Sequence, residues 1–328
     1  MLASRAGGPE VLRVVDAAEP EPGPGEVLIK AEAIGVNFAD VWARLGANGG
    51  PPPYRPGIEV AGTVAAVGTN GSPWRVGDRV AAMPYARAAA YAELVVAPGD
   101  RTFPVPDGMP VEVAGALPLN YLTAYAAVAH AARPLAGERM LVHAAAGGVG
   151  LAAVQLARGY GVELYATASS AKHSVLHAEG VAHAIDYRTA DWVAELRRLA
   201  ADGVDIVIDG VGEDRFRRSL SVTRFGGRVV AYGYTSGVPS ATEATLDLAA
   251  VLAGGISLYE LLEEPRGLIG VGLDGPVPLV RKWWDALLAA YAAGEIAPRV
   301  TALPLAEAAE AHRRLHAREN VGKIVLVP

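Results

Sequence analysis

The stretch HAAAGGVGLAAVQLARGYGVELYATASSAKHS, residues 143–174, decides how this chain is read. It is either an alanine-rich helix preceded by loose glycines or a loop shaped to hold a phosphate. The apolar run MLVHA (140–144) predicts a strand, VGLAAVQLA (149–157) predicts a helix, and the spacing Ala144-x-x-Gly147-x-x-Gly150 falls between them. At such a junction the first N–H groups of the helix are unpaired and carry the positive end of its dipole, so a diphosphate can rest against them. Glycine lets the backbone approach where a Cβ would block it. A glycine triplet says little by itself in a chain with 38 glycines among 328 residues. The strand-to-helix setting makes this one a dinucleotide fingerprint.

The following strand, VELYATA (162–168), tells which dinucleotide. An NAD site places an acid at this tip, about 20 residues after the glycines, to hold the ribose hydroxyls. Here the tip reads Ala168-Ser169-Ser170-Ala171-Lys172, without an acid. Hydroxyls and a cation suit a 2′-phosphate, which favours NADPH. The alternative for Lys172 is a solvated lysine at a helix start.

Outward from this core the rhythm is regular. AHAIDY (182–187), VDIVIDGV (204–211) and RVVAYGY (228–234) are further strands, with helical stretches such as DWVAELRRLA between them, which predicts a parallel sheet covered on both faces. Before residue 118 the pattern differs. GEVLIKAEAIGVN (25–37), IEVAGTVAAVG (58–68), DRVAAM (78–83) and YAELVVAP (91–98) are short runs punctuated by Gly and Pro, which predicts a β-rich, barrel-like unit. The end of the chain reads helix, helix, strand, closing on GKIVLVP.

Composition removes several function classes. With 52% hydrophobic and 20% charged residues the chain is an ordinary globular one. A net charge of −6, with no Lys/Arg run, argues against a nucleic-acid partner. Cysteine is absent, which removes disulfides, thiolate metal sites and a cysteine nucleophile. The seven histidines include one pair at helical spacing, His173 and His177, without a third ligand, so no metal is expected. MLASRAGGPEVLR lacks the apolar core of a signal peptide, which predicts a cytoplasmic protein. Val113 to Ala132 carries no Asp, Glu, Lys or Arg. Its Pro118, Asn120, Thr123 and His130 mark it as buried soluble structure rather than a membrane span.

Taken together, GGPEVLRV (7–14), GVNFADVWARLG (35–46), PGIEVAGTVAAVG (56–68), VGDRV (76–80), NYLTAY (120–125), HAAAGGVGLAAVQLA (143–157) and NVGKIVLVP (320–328) resemble the medium-chain dehydrogenase/reductase superfamily. Within it they are most similar to the zinc-free quinone oxidoreductase branch of zeta-crystallin-type and vesicle amine transport protein 1-like members. The resemblance covers nearly the whole chain. It implies an α/β protein made of a GroES-like β-barrel substrate domain and a Rossmann doubly wound parallel-sheet domain. The expected boundaries are 1–118 for the barrel, completed by 262–328, and 119–261 for the Rossmann domain. Zinc-dependent members carry a Cys ligand and a Gly-His-Glu motif; this chain reads Gly57-Ile58-Glu59 there. The implied activity is therefore metal-free, NADPH-dependent hydride transfer to a quinone or an enone, by a homodimer.

The resemblance also implies residue roles. Asn37 and Asp40 match a cleft-lining Asn-Phe-x-Asp motif, and Asn120 and Thr123 lie on the helix beside the nicotinamide. Gly147, Gly148 and Val149 are expected at the diphosphate, with Ser169, Lys172 and Tyr187 at the adenosine phosphate. Gly233 falls near the nicotinamide ribose, and Asn320 completes the pocket from the tail. Each has a plainer alternative: Asn120 and Thr123 as satisfied helix polars, Tyr187 as a surface ring, Asn320 as a turn former. Many relatives carry Tyr in an ARxGxY stretch, where this chain has Ala43-Arg44-Leu45-Gly46-Ala47-Asn48; Tyr54 is the nearby substitute. Two other functions stay open. One is a freestanding enoyl reductase with Lys172 and Asp191 as proton donors, and the other is an NADPH-binding protein of low turnover. An exposed RVVAYGY edge would serve the dimer, and Trp283-Trp284 an interface, a substrate wall or the core. Pocket size rests on the loops at 46–56, 84–90 and 235–272, where LLEEPRGLIGVGLDG either closes over the nicotinamide or is mobile.

Overall fold

The computed structural model describes residues 1–46, 52–69, 72–84, 89–212, 216–235, 256 and 258–328. A ribbon of β1 (Leu2–Ala3) and β2 (Leu12–Arg13) precedes the long strand β3 (Glu26–Val36) and helix α1 (Phe38–Arg44). Then come β4 (Val60–Val67), β5 (Arg79–Ala82), β6 (Leu94–Pro98) and β7 (Thr102–Pro104). Strands β4 and β6 pair with opposite edges of β3, β5 pairs with β4 and β7 with β5, all antiparallel. The alternation in the sequence is the pleat of these strands: on β3, Val27, Ile29 and Ala31 are buried while Lys30 faces solvent.

Helix α2 (Val111–Ala114) leads into the uncharged run, which forms α3 (Leu122–Tyr125) between two wider π-type turns, Leu117–Tyr121 and Ala126–Ala132. Leu117, Leu122 and Val128 are in the core. No helix among the described residues is long and apolar enough to cross a membrane.

The parallel sheet follows, with β8 (Arg139–Val142), α4 (Gly148–Arg158), β9 (Glu163–Thr167), α5 (His173–Ala178) and β10 (His183–Ile185). It continues through α6 (Trp192–Leu199), β11 (Val204–Asp209), α7 (Arg217–Ser221), β12 (Thr223–Ala231), α8 (Leu258–Glu263) and β13 (Gly267–Gly270). The strand order is β10-β9-β8-β11-β12-β13, so the winding reverses between β8 and β11 and opens a crevice at their carboxyl ends. One face packs Met140, Leu151 and Ile206, the other Leu141, Trp192 and Val207. All six residues of β11 are buried, as a central strand covered on both sides requires.

Helix α9 (Val277–Ala292) follows, then β14 (Val300–Pro304), α10 (Ala308–His316) and β15 (Lys323–Val327). Strand β15 lies antiparallel to β3, with Ile324 opposite Val36, and β14 lies parallel to β15. The tail thus completes the barrel.

Three expectations are corrected. RVVAYGY is no edge: β12 pairs β11 on one side and β13 on the other, and β13 is the outer strand among the described residues. The first strand of the tail in the barrel sheet is β14, and past the expected boundary at 262 the parallel sheet is still extended by β13. The short, glycine-bearing GLIG (267–270) hid this strand from a pattern-based reading. It also means that LLEEPRGLIGVGLDG is the end of α8, a sheet strand and a turn whose Leu273 and Gly275 carbonyls accept from Arg101 at 3.0 and 3.1 Å. The Trp pair proves to be core. Trp284 is fully buried, donates to the Pro104 carbonyl at 2.9 Å and stacks on Phe103 with ring centres 4.9 Å apart, while Trp283 packs beside His130. Residues 47–51, 85–88, 236–255 and 257, on which much of the expected loop control rests, lie outside the described residues.

Candidate active site

A cleft of about 700 Å³ opens where the parallel sheet meets the barrel, and the 143–174 stretch forms its floor. Gly147 caps α4, whose first turn faces the cleft with Gly148, Val149 and Gly150. The glycines answer to the protein as well as to a phosphate. A Cβ on Gly148 would sit 1.9 Å from Asn120 Nδ2, and one on Gly150 would sit 2.4 Å from the Ala144 carbonyl oxygen.

Ala144 has φ +49°, a left-handed conformation that alanine rarely adopts. A hydrogen-bond relay across three strand ends holds it there. Asp209 Oδ2 accepts from the Ser219 hydroxyl at 2.6 Å, so the Ser219 oxygen turns to His143 Nε2, 3.2 Å away, as an acceptor. That puts the imidazole hydrogen on Nε2 and leaves Nδ1 to accept from Thr167 Oγ1 at 3.0 Å. Thr167 Oγ1 in turn accepts the Ala144 N–H at 3.3 Å.

At one end, Ser169, Lys172, Tyr187 and Arg318 line the cleft together, where the adenosine was expected. Lys172 Nζ donates to the carbonyls of Arg318 at 2.7 Å and Asn320 at 2.6 Å, tying the Rossmann side to the tail. Burial, then repulsion from Arg188 and Arg318, holds its ammonium below the usual lysine range. Gly233 and Asn320 also line the cleft, and the Asn320 side chain donates to the Gly322 carbonyl at 2.8 Å. Gly322 bridges directly to Gly147.

At the other end Asn37, Asn120 and Thr123 converge, roofed by Trp42 and Tyr234, whose rings meet edge to face at 4.5 Å. Two expected catalytic residues are elsewhere. Asp40 is 2% exposed and turned away from the cleft: it accepts from the Asn37 N–H at 2.8 Å, the Gly57 N–H at 3.0 Å and the Tyr91 hydroxyl. It is the polar clasp of the α1 start, and burial pushes its carboxyl up to about 7. Tyr54 exchanges backbone hydrogen bonds with Ala3 at 3.0 Å, which packs its ring in the barrel core. Its buried hydroxyl has no partner among the described residues, desolvation pushes the phenol above its ordinary value, and Tyr54 does not line the cleft.

Asp191, one of the alternative proton donors, caps α6 by accepting the Val193 N–H at 3.2 Å, and it pairs with Arg218 outside the cleft. His173 and His177 each bond a backbone carbonyl.

Sequence reasoning missed two charged residues. Glu59 is fully buried in β-rich apolar surroundings, and its Oε1 accepts from Lys323 Nζ and from Asn37 Nδ2 at 2.7 Å, while Oε2 accepts the Leu119 N–H at 2.8 Å. Lys323, 3% exposed, also donates to Asn37 Oδ1 at 2.5 Å and lines the cleft. Single charges inside the apolar runs IEVAG and GKIVLV were the available signal, since an isolated buried charge requires a partner. Arg318, Trp42 and Tyr234 were missed as well, without a comparable signal.

With this geometry in view, two family profiles match the chain: "Alcohol dehydrogenase GroES-like domain" over residues 23–107 and "Zinc-binding dehydrogenase" over 179–326. The synaptic vesicle membrane protein VAT-1 homolog of Rattus norvegicus is 39% identical over 321 residues, covering 95% of this chain and 79% of that one. The quinone oxidoreductase of Homo sapiens is 32% identical over 329 residues, 98% of this chain and 95% of that one. The crystal structure of Escherichia coli quinone oxidoreductase complexed with NADPH superposes with a TM-score of 0.87 at 30% identity, covering 100% of this chain and 99% of that one. The chain belongs to the medium-chain dehydrogenase/reductase family, a family of oxidoreductases.

One profile's description names zinc, and the described residues show no donor set for it. Among the described residues no three His, Cys, Asp or Glu side chains gather. Ile58 offers no donor, and the Glu59 carboxylate is already paired to an ammonium. A dinucleotide fits better: unpaired N–H groups, a cationic adenosine end and two amides share one cleft.

Proposed function

We propose that the chain is an NADPH-dependent reductase that passes hydride to a quinone or an α,β-unsaturated carbonyl compound without a metal. One observation carries this reading: the glycine loop, the Lys172–Arg318 end and the Asn37–Asn120–Thr123 end face a single continuous cleft. The relative described as complexed with NADPH supports the choice of cofactor. When bound, NADPH supplies the hydride. The chain's own work is to hold it: Gly147, Gly148, Val149 and Gly150 at the diphosphate, Ser169, Lys172, Tyr187 and Arg318 at the adenosine phosphate, and Gly233 and Asn320 toward the nicotinamide. Trp42 and Tyr234 exclude water from the acceptor end, and Asn120 and Thr123 orient the acceptor. On this reading the barrel is the acceptor domain and the parallel sheet the cofactor domain. The outer edge of β13 is the strand that a second copy would extend into a homodimer.

The enoyl-reductase alternative loses one of its two residues, because Asp191 lies outside the cleft, while Lys172 lines the cleft with its ammonium tied to two tail carbonyls. The test is NADPH consumption by the purified protein with a quinone, matched enones and enoyl thioesters, and NADH as control. Turnover of the quinone or the enones is expected. Turnover of thioesters alone would move the assignment to an enoyl reductase, and tight NADPH binding without turnover would make the protein a binder.

A further inference from the structure

Lys323 stands on the cleft wall in a form that the cofactor does not require. An ammonium has three N–H donors. Two go to Asn37 Oδ1 and Glu59 Oε1, and among the described residues the third has no acceptor. Its neighbours cannot take over its work. Both hydrogens of the Asn37 amide are engaged, by Glu59 at 2.7 Å and by the Gly35 carbonyl at 3.4 Å, and both Glu59 oxygens accept bonds. The dyad therefore locks one cation beside the cleft that Lys323 and Asn37 line, with one of its donors uncommitted among the described residues. Keeping two charges out of water is costly even when they are paired, a cost that a wall of apolar residues would avoid.

Three anions meet in such a cleft on this reading: the diphosphate, the adenosine phosphate, and the oxygen of the acceptor as it is reduced. The first already has the start of α4 and the second has Lys172 and Arg318. The tip of Lys323 lies with Asn37 and Glu59 of the barrel, on the side where Ile58, Leu119 and Asn120 wall the cleft. We propose that Lys323 is a catalytic residue of the acceptor end, its ammonium donating to the oxygen on which negative charge gathers. The proposal rests on the reductase reading. With a reduced nicotinamide as hydride source, a new C–H bond forms at the β-carbon of an enone. The C=C pair moves to make an enolate, and the charge on its oxygen is met by the Lys323 N–H. A proton from Lys323, replaced from water, or from water directly then completes a two-electron reduction. A quinone follows the same course to a hydroquinone anion. Removing a donor aimed at a developing oxyanion lowers kcat about 100- to 1,000-fold.

Lys323→Met alone would leave the Glu59 charge buried without a partner, so the informative variant is Lys323→Met with Glu59→Gln. Three readouts are taken: NADPH affinity of the apo protein by fluorescence titration, single-turnover reduction of an enone at saturating NADPH, and the ionisation of 4-nitrophenol in the apo protein. The last uses a phenol whose anion is coloured and resembles the reduced acceptor. In the wild type it should ionise about one pH unit lower than in water, as beside a fixed cation. The double variant should abolish that shift and lower the single-turnover rate about 100-fold. NADPH affinity should stay within about threefold, and Lys323→Arg should restore most of the rate. Loss of NADPH affinity with an unchanged rate would reassign Lys323 to the diphosphate. Unshifted nitrophenol in the wild type, or no change in any readout, would reduce the dyad to a fold contact. A wild type that reduces no acceptor would overturn the reductase reading itself, and this proposal with it.

Discussion

Gly148→Ala gives a sharp test of how the glycine loop is built. The added Cβ would meet Asn120 Nδ2 at 1.9 Å, and ordinary contact begins near 3.4 Å, so the amide must withdraw from the place where it faces the cleft. Overpacking of this kind costs about 1–3 kcal/mol. Against it stands the better helix propensity of alanine, up to about 1 kcal/mol and smaller in a first turn. The single variant should therefore lose about 1–2 kcal/mol and bind NADPH more weakly. In an Asn120→Ala background the obstacle is gone and the same change should be neutral or slightly stabilising, a coupling of about 1–2 kcal/mol. Gly150→Ala is the control. Its Cβ meets backbone, the Ala144 oxygen at 2.4 Å and Ala145 Cα at 2.7 Å, and no side-chain truncation relieves that. Urea unfolding of the four-variant cycle and of the Gly150 pair, with NADPH fluorescence titration beside it, gives both numbers. Additive losses at Gly148 and Asn120 would refute the reasoning, as would rescue of Gly150→Ala by Asn120→Ala.

Lys172→Ala should raise the NADPH dissociation constant about tenfold, roughly 1.4 kcal/mol, and leave that of NADH nearly unchanged; equal losses for both would show that the lysine only ties down the tail. Asp40 and His312 share the Tyr91 hydroxyl and should give opposed pH dependences. The Asp40 carboxyl, raised by burial from 3.8 to about 7, makes the native state bind the extra proton, so its contribution falls as pH rises through that window. His312, held neutral by burial and lowered from 6.5 to about 3, makes the unfolded state bind the extra proton, so its contribution falls as pH drops through that window. Asp40→Asn should leave a stability that rises with pH between about 3 and 6.5, and His312→Asn one that falls between 3.8 and about 7, each by up to about 1.4 kcal/mol per unit; melting temperatures that run parallel in all three proteins would count against it. Trp284→Ala should cost about 3–5 kcal/mol by leaving a cavity beside Phe103 and an unpaired Pro104 carbonyl, and an unfolding midpoint close to the wild type would contradict its place in the core.

Much of the fold was legible because its signals are local. The strand-to-helix junction at 143–150 and the apolar runs at 162–168 and 204–211 each carry their period within a few residues, and the observed strands fall on them. That Ser169 and Lys172 line the cleft was legible for the same reason, since they follow their strand directly. What escaped was set by distant partners. GLIG has no pattern of its own and is a strand because β12 pairs with it. Asp40 and Asn37 sit three residues apart in one motif, yet α1 turns one into the core and the other toward the cleft. Lys323 and Glu59 looked like chance charges until the fold set one against the other.

Strand β3 pairs with β6 from Glu26 to Lys30 and with β4 from Val27 to Ile34, and among the described residues its end at Gly35 and Val36 is paired by β15 alone. That end carries Asn37 and the wall of the cleft. During translation the ribosome must therefore deliver the whole parallel-sheet unit before the barrel can be closed around the first-made strands. The nascent barrel waits with an open seam while the later unit, whose sheet draws no strand from the tail, can already fold. Chaperone capture and early proteolysis of a stalled chain should strike that seam, and ligand binding should appear abruptly, with the release of β15.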